Sequence, residues 1–200
     1  MDSISGVILA GGANKRFGGK IKAKINIGSK TVISRMLDTV SEIFHEIIIV
    51  TNTPEEFTEF SQCTIIPDEF LKIGPLGGIH AAMKFSACDA IFVFAGDMPL
   101  VRKQLIVSQM EYYNEHDYEV VTPRIDNYIE PLHSIYRSSI LRKVENYISE
   151  KSNHALWEFF SQLNVGYFDP GNPGEARNAF QNVNTALDII IVEKIMRERN

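Results

Sequence analysis

The feature that most constrains this chain is an alternation of short, wholly apolar runs with amphipathic segments. Gly6-Val7-Ile8-Leu9-Ala10, Ile47-Ile48-Ile49-Val50 and Ile91-Phe92-Val93-Phe94 are short and rich in β-branched and aromatic residues. Such runs read as strands buried on both faces. Between them, Thr31 to Phe44 places Val32, Ile33, Met36, Leu37, Val40, Ile43 and Phe44 at helical intervals. Pro54 to Phe60 reads as a short helix and Thr64 to Ile66 as another strand. Pro75 to Phe85 reads as a helix with proline in its first turn, and Val101 to Tyr113 as a further helix. This β-α-β-α order predicts an α/β fold, a mostly parallel sheet with helices on both faces.

The second half is less regular. Glu119 to Thr122, Leu132 to Tyr136 and Val165 to Phe168 read as strands. Ser138 to Ile148 and Asn153 to Leu163 read as helices. Pro170 to Gly174, with two prolines and two glycines, reads as a loop. A last helix is expected from about Ala186 to Arg197, with Thr185 as N-cap and Asp188 closing a shortened capping box.

Composition sets outer limits. Two hundred residues, 44% of them hydrophobic and 22% charged, suit one globular domain over residues 1–200. The formal charge of −5 argues against a nucleic-acid partner, which would call for a basic face. Cys63 and Cys88 lack the C-x-x-C spacing of a thiolate metal cage. The first residues show no basic, apolar leader, and no apolar run approaches the ~20 residues that span a bilayer. No membrane partner is expected, and the cytoplasm is the expected compartment.

The chemistry concentrates after the first strand, in Leu9-Ala10-Gly11-Gly12-Ala13-Asn14-Lys15-Arg16-Phe17-Gly18-Gly19-Lys20-Ile21-Lys22. In an open parallel sheet, ligands bind at the carboxyl ends of the strands. Four glycines let backbone N–H groups approach phosphates, and Lys15, Arg16, Lys20 and Lys22 add cations. The segment reads as a triphosphate cradle; the plainer alternative is a glycine-rich turn with solvated lysines. It is not a P-loop, because Asn14 and Ile21 occupy positions that need Gly and Ser or Thr, and G-x-G-x-x-G is absent. Asp97, in Ala95-Gly96-Asp97-Met98-Pro99, follows the strand ending at Phe94. A carboxylate at a strand tip suits Mg²⁺, which takes one or two protein carboxylates plus substrate phosphates; the alternative is a helix or turn cap. Asp68, Asn52 and Gly74-Pro75-Leu76-Gly77-Gly78 read either as turn residues or as contacts to base and ribose.

These residues together resemble the molybdenum cofactor guanylyltransferases. The likeness lies in Leu9-Ala10-Gly11-Gly12, Arg16-Phe17-Gly18-Gly19, Lys22, Gly74-Pro75-Leu76-Gly77-Gly78 and Gly96-Asp97-Met98-Pro99. It continues through Glu130-Pro131-Leu132-His133-Ser134-Ile135-Tyr136 and Asn182-Val183-Asn184-Thr185, so it spans about Gly6 to Asp188. The resemblance implies a Rossmann-like three-layer α/β/α sandwich. It also implies transfer of GMP from Mg-GTP to the phosphate of molybdenum-bound molybdopterin, with release of pyrophosphate. It implies nucleotide contacts at Leu9, Ala10, Gly11, Gly12, Asn52 and Asp68, and phosphate binding at Lys22. Asp97 would contact both nucleotide and Mg²⁺, and Arg16 would join Lys22 and Asp97 in the catalytic set. Pro131, His133, Asn182 and Asn184 would face the acceptor, although a histidine in a strand is more often structural. Partners implied are GTP, the molybdopterin acceptor and proteins that insert molybdenum or chaperone molybdoenzymes.

The chain departs from the family at Ile21, where an acid is usual, and at Ala186, where proline is usual. Lys20 and Lys22 both remain candidates for the phosphates; the resemblance implies Lys22, which stands at the family's spacing from the strand-like Lys24-Ile25-Asn26-Ile27. Three competing readings stay open: a cytidylyltransferase, a guanylyltransferase for another cofactor precursor, and a catalytically silent nucleotide-binding partner. The Ala10-Gly11-Gly12 turn and the G-P-L-x-G segment favour guanine over cytosine.

Overall fold

In the computed structural model of the chain, residues 3–11, 21–70 and 72–199 are described. Three strands carry the architecture. β1 (Ile4–Leu9) lies between β4 (Ile47–Val50) and β6 (Ala90–Ala95) and is parallel to both. Leu9 is level with Val50 on one side and with Ala95 on the other. The three strands therefore end together, and the segments that follow them face one another. β5 (Thr64–Ile66) extends the sheet parallel to β4. On the other side the order runs β6, β9 (His133–Arg137), β7 (Val120–Ile125), β10 (Val165–Phe168). β9 is antiparallel to both its neighbours, and β7 and β10 are parallel to each other.

The chain moves outward from β1 to β4 and β5, then returns across β1 to β6. That reversal is a topological switch point, where open α/β sheets form their ligand crevice. The apolar runs behave as expected, since every residue of β4 and β6 is buried.

Helices cover both faces. α1 (Val32–Val40), α3 (Lys103–Asn114) and α7 (Ala186–Arg199) pack with Ile8, Ile49, Phe92 and Phe94 on one side. α2 (Pro75–Phe85), α4 (Leu141–Glu150) and α5 (Leu156–Phe160) pack with Val7, Ile48, Ile91 and Val93 on the other. The expected three-layer sandwich is what forms. Alternation along each strand explains it: neighbouring residues project to opposite faces, and both faces are apolar.

The differences from expectation are local. The Thr31 to Phe44 helix starts at Val32, with Thr31 capping Ser34 N, and ends at Val40 in turns. Lys22–Lys24 is a 3₁₀ turn that precedes a two-stranded hairpin of β2 (Asn26–Ile27) and β3 (Lys30–Thr31). Pro54–Phe57 is likewise a single 3₁₀ turn. A 3₁₀ turn at Ser138–Ile140 opens α4. The helix expected over Asn153 to Leu163 contracts to α5. The loop expected at Pro170 to Gly174 gives way, at Pro173, to α6 (Pro173–Ala179). Asn172 is its N-cap, accepting from Gly174 N at 3.1 Å and Glu175 N at 3.2 Å, with proline at N1. β8 (Tyr128–Ile129) pairs back onto β7 through a two-residue turn at Asp126-Asn127, with Asp126 at φ 54°. The capping box at the last helix forms as read: Thr185 Oγ1 accepts Asp188 N at 3.3 Å, and Asp188 Oδ2 accepts Thr185 N at 2.7 Å.

Candidate active site

Two cavities open at the carboxyl edge of the sheet. The first, of about 640 Å³, lies over the tips of β1, β4 and β6. β1 supplies Leu9, Ala10 and Gly11. β4 leads into Thr51 and Asn52, β5 into Asp68, and β6 into Gly96 and Asp97. The pocket's depth depends on close backbone packing. Gly96 N donates to Leu9 O at 2.9 Å, and a Cβ on Gly96 would stand 2.7 Å from that oxygen. A side chain there would push β1 and the Asp97 turn apart. Gly77, in the first turn of α2, fits only because it lacks a Cβ, which would lie 2.6 Å from Asp68 Oδ1.

Asp68 and Asn52 hold each other. Asn52 Oδ1 accepts Asp68 N at 3.2 Å, and Asp68 Oδ1 accepts Phe70 N at 2.8 Å. Burial raises the Asp68 pKa, against the pull of Phe70 N–H and of His80. These are turn interactions, but both side chains also line the cavity. The two readings of Asn52 and Asp68 are therefore compatible.

The second cavity, about 650 Å³, lies beyond β7 and is built by parts of the chain that sequence reading under-described. The β7–β8 hairpin brings Tyr128, followed by Glu130. α6 contributes Arg177, and the segment before α7 contributes Asn182 and Asn184. Glu130 is only 6% exposed. Its Oε2 accepts Tyr128 OH at 3.0 Å. Burial raises its pKa, against the Tyr128 hydroxyl and a backbone N–H of Leu132, and the charge of Asp97 adds to the rise.

The wall between the cavities is a cluster of three side chains. Lys22 Nζ lies 3.3 Å from Asp97 Oδ2 and also donates to Asn184 Oδ1. Lys22 and Asp97 line the first cavity and Asn184 the second. Val183 N donates to Asp97 O at 2.8 Å, which ties the Asn182-Asn184 segment to the strand-tip turn. Asp97 is 18% exposed at its side chain; burial raises its pKa and Lys22 opposes the rise. Asp188 is held low: burial pushes its carboxyl up, but hydrogen bonds from Asn184 and Thr185 outweigh it. A carboxylate and an ammonium at a strand tip, flanked by two cavities, can hold two anionic groups close together.

Seven of the expected nucleotide and metal residues thus meet at the first cavity: Leu9, Ala10, Gly11, Lys22, Asn52, Asp68 and Asp97. Gly12, Arg16 and Lys20 lie outside the described residues. Asn182 and Asn184 sit together at the second cavity. His133 does not. It is fully buried on β9, edge-on to Phe92 and Phe94 with ring centroids 5.0 and 5.3 Å away. Its Nδ1 pairs with Gln109 Oε1 at 3.1 Å, and burial drives its pKa down to about 3. It is a core residue, and the expectation that it meets the acceptor is corrected. The reason is alternation along β9, which turns His133 onto the Phe92 face of the sheet. Pro131 lines neither cavity; its carbonyl accepts Tyr136 OH at 2.7 Å, while its neighbours Glu130 and Leu132 line the second and first cavities.

Sequence reasoning missed Glu130, Tyr128, Arg177 and Lys72 as site residues. The Asp126-Asn127 dipeptide between Ile125 and Tyr128 was the available hairpin signal. Lys72, exposed beside the first cavity with φ 73°, gave only its place before Gly74-Pro75.

Residues 6–165 match the MobA-like NTP transferase domain. The chain belongs to that family. It is 30% identical over 182 residues to the "Probable molybdenum cofactor guanylyltransferase" of Aquifex aeolicus, covering 91% of this chain and 86% of that one. It is 34% identical over 152 residues to the protein of the same name from Clostridium perfringens, covering 76% and 75%. The fold is that of molybdopterin-guanine dinucleotide biosynthesis protein A from Archaeoglobus fulgidus, with a TM-score of 0.79 at 24% identity, covering 97% of this chain and 99% of that one. Family membership makes the chain a nucleotidyltransferase. Among the described residues, no helix is long and apolar enough to cross a membrane.

Proposed function

We propose that this protein transfers the GMP moiety of GTP to the terminal phosphate of molybdenum-bound molybdopterin, releasing pyrophosphate. The observation that carries the reading is the shared wall. Lys22, Asp97 and Asn184 stand between two cavities of nearly equal size, so a nucleotide in one and an anionic acceptor in the other would meet at that cluster. The names of the relatives supply the guanine and the acceptor.

In that reaction an acceptor phosphate oxygen attacks the α-phosphorus. A new P–O bond forms as the bond to the bridging oxygen of the departing pyrophosphate breaks. A phosphate monoester is already ionised at neutral pH, so no protein base is needed. The task is to bring two polyanions together and stabilise the spreading charge. Lys22, at the wall between the cavities, is placed for it, exchanging Asp97 and Asn184 for phosphate oxygens as substrates enter. Asp68 Oδ2 is the acceptor best placed for the donor edge of guanine, because Asn52 Oδ1 and Asp68 Oδ1 already take backbone N–H groups.

The donor set suits Mg²⁺. Asp97 is a mostly buried carboxylate, and no group of three or more His, Cys, Asp or Glu that could hold a metal ion forms among the described residues. That is the protein half of a site whose remaining ligands are substrate oxygens and water. Bound there, the ion would neutralise charge on the phosphates.

The test is a nucleotide panel with molybdenum-loaded molybdopterin as acceptor, reading pyrophosphate. GTP should be used in preference to CTP and ATP. Equal use of CTP would overturn the guanine assignment.

A further inference from the structure

The second cavity holds three carboxylates in the described residues, and they are not equivalent. Asp126 is paired with Arg177 at 2.5 Å. Asp188 takes two backbone N–H groups and a hydroxyl at the start of α7. Glu130 is 6% exposed, yet no cation lies within ion-pair distance of it among the described residues. Its side chain meets a neutral phenol, Tyr128 OH, and a backbone N–H of Leu132. An ionised carboxylate offers about four acceptor sites, so accepting capacity remains. A buried carboxylate without a cation is costly unless hydrogen bonds satisfy it.

Two further observations point to what completes it. Asn182, on the same cavity, keeps its Oδ1 buried without a hydrogen-bond partner. Two aromatic rings, Tyr128 (61% exposed) and Phe180, also line the space. The cavity therefore combines unfilled acceptors with flat apolar surfaces. That set complements an aromatic heterocycle whose edge carries adjacent N–H donors. Charge gives the orientation. An anionic end is repelled by Glu130 and drawn to Lys22 at the dividing wall, so the donor edge lies at the Glu130 end.

We propose that Glu130, positioned by Tyr128, is a specificity-determining residue for the acceptor, accepting the amino and ring N–H donors of its heterocycle. This rests on reading the second cavity as the acceptor site. A pterin has such an edge, with a 2-amino group beside a ring N–H. A lumazine, with oxygen in place of the amino group, does not.

The first test uses binding alone, read by the intrinsic fluorescence of pterin-6-carboxylate and lumazine-6-carboxylate. The native protein should prefer the pterin by roughly 10- to 100-fold, the loss expected when hydrogen bonds to a charged acceptor go unmade. Glu130→Gln, whose amide accepts at only one atom, should erase the preference. Tyr128→Phe keeps the carboxylate and should reduce the preference only severalfold, which serves if the Gln variant fails to fold. The second test is steady-state transfer. Glu130→Gln should raise the acceptor KM by a similar factor and leave the GTP KM unchanged. Equal binding of pterin and lumazine by the native protein, or an unchanged acceptor KM in Glu130→Gln, overturns the assignment. Native protein that binds the pterin selectively through Glu130 but transfers no GMP would instead overturn the proposed function and leave the recognition standing.

Discussion

The two cavities sit a few residues apart in space and are built by different means. The first cavity, the proposed nucleotide side, is made of strand tips. β1, β4 and β6 end in register, and the residues that follow them converge because the sheet makes them. The second cavity, the proposed acceptor side, is made of appendages: a two-residue hairpin turn, the seven-residue helix α6 capped by Asn172, and the segment before α7. Where regular structure positions a site, a substitution at the tip alters chemistry and spares the fold. Where side chains position each other, a substitution disturbs both partners.

Asp97→Asn should divide the two regions most sharply. The amide keeps the shape but is a poor ligand for a hard cation, so transfer should fall by several kcal/mol of transition-state stabilisation, roughly 100-fold or more. Burial disfavours the Asp97 charge, so thermal unfolding should be unchanged or slightly later. Pterin-6-carboxylate binding in the second cavity should persist. Near-native turnover would reduce Asp97 to a turn residue.

Lys22→Ala is the change that should cross the wall. Lys22 holds both Asp97 and Asn184. Losing it should raise the GTP KM by roughly 10- to 100-fold, the range for hydrogen bonds to a charged group. The acceptor KM should rise as well, because Asn184 loses its partner. A change confined to GTP would show that the wall does not couple the cavities.

This contrast also explains what the sequence disclosed. Gly11, Asn52, Asp68 and Asp97 could be placed on one sheet edge because each follows a strand-like run, and strand tips in a parallel sheet share one edge; Leu9 ends the first of those runs. Asn182 and Asn184 were reached through resemblance to the family; nothing in their spacing placed them at a cavity. Glu130 stayed hidden inside a motif, since its place on the second cavity needs the hairpin at Asp126-Asn127 to fold back over β7. The assignment of His133 failed because the polarity of one side chain says nothing of which strand face it occupies. On β9 that face carries Phe92 and Phe94. The start of α6 was misjudged because Pro173 and Gly174 read as breakers, while Asn172 turns the same residues into a capped first turn.

His133 tests the core beneath the second region. Its pKa in the fold is about 3, below the ordinary value of 6.5, because burial favours the neutral ring. A base with a depressed pKa adds stability that is complete above about pH 6.5 and falls as the pH drops toward 3. Between pH 7 and pH 5 the loss is about 2 kcal/mol. The buried acids Asp68, Asp97 and Glu130 have raised values and shift stability the opposite way at lower pH. The clean measurement is therefore a difference: urea unfolding of the native protein and of His133→Gln at both pH values. The native protein should lose about 2 kcal/mol more than the variant. Parallel losses would mean that the ring titrates normally and reaches solvent.

The smallest expected effect probes the first cavity without touching its charges. A Cβ on Gly11 meets no atom of the described residues within 4 Å, so Gly11→Ala should fold as the native protein does. The position lines the first cavity, where Ala10 and Gly11 follow the tip of β1. A methyl group there would compete with a ligand for the space of that cavity. Mild overpacking against a purine costs about 1 kcal/mol, a roughly fivefold rise in the GTP KM. The acceptor KM and pterin binding should not move, since Gly11 lines the first cavity alone. The preference for GTP over CTP should shrink, because the smaller pyrimidine avoids the methyl group. Competition between GTP and CTP at equal concentration, read as pyrophosphate release, measures it directly. A preserved preference with a raised GTP KM would place the methyl group against ribose or phosphate and assign base selection to Asp68 instead. A rise in the acceptor KM would show that the two cavities are less separable than their construction implies.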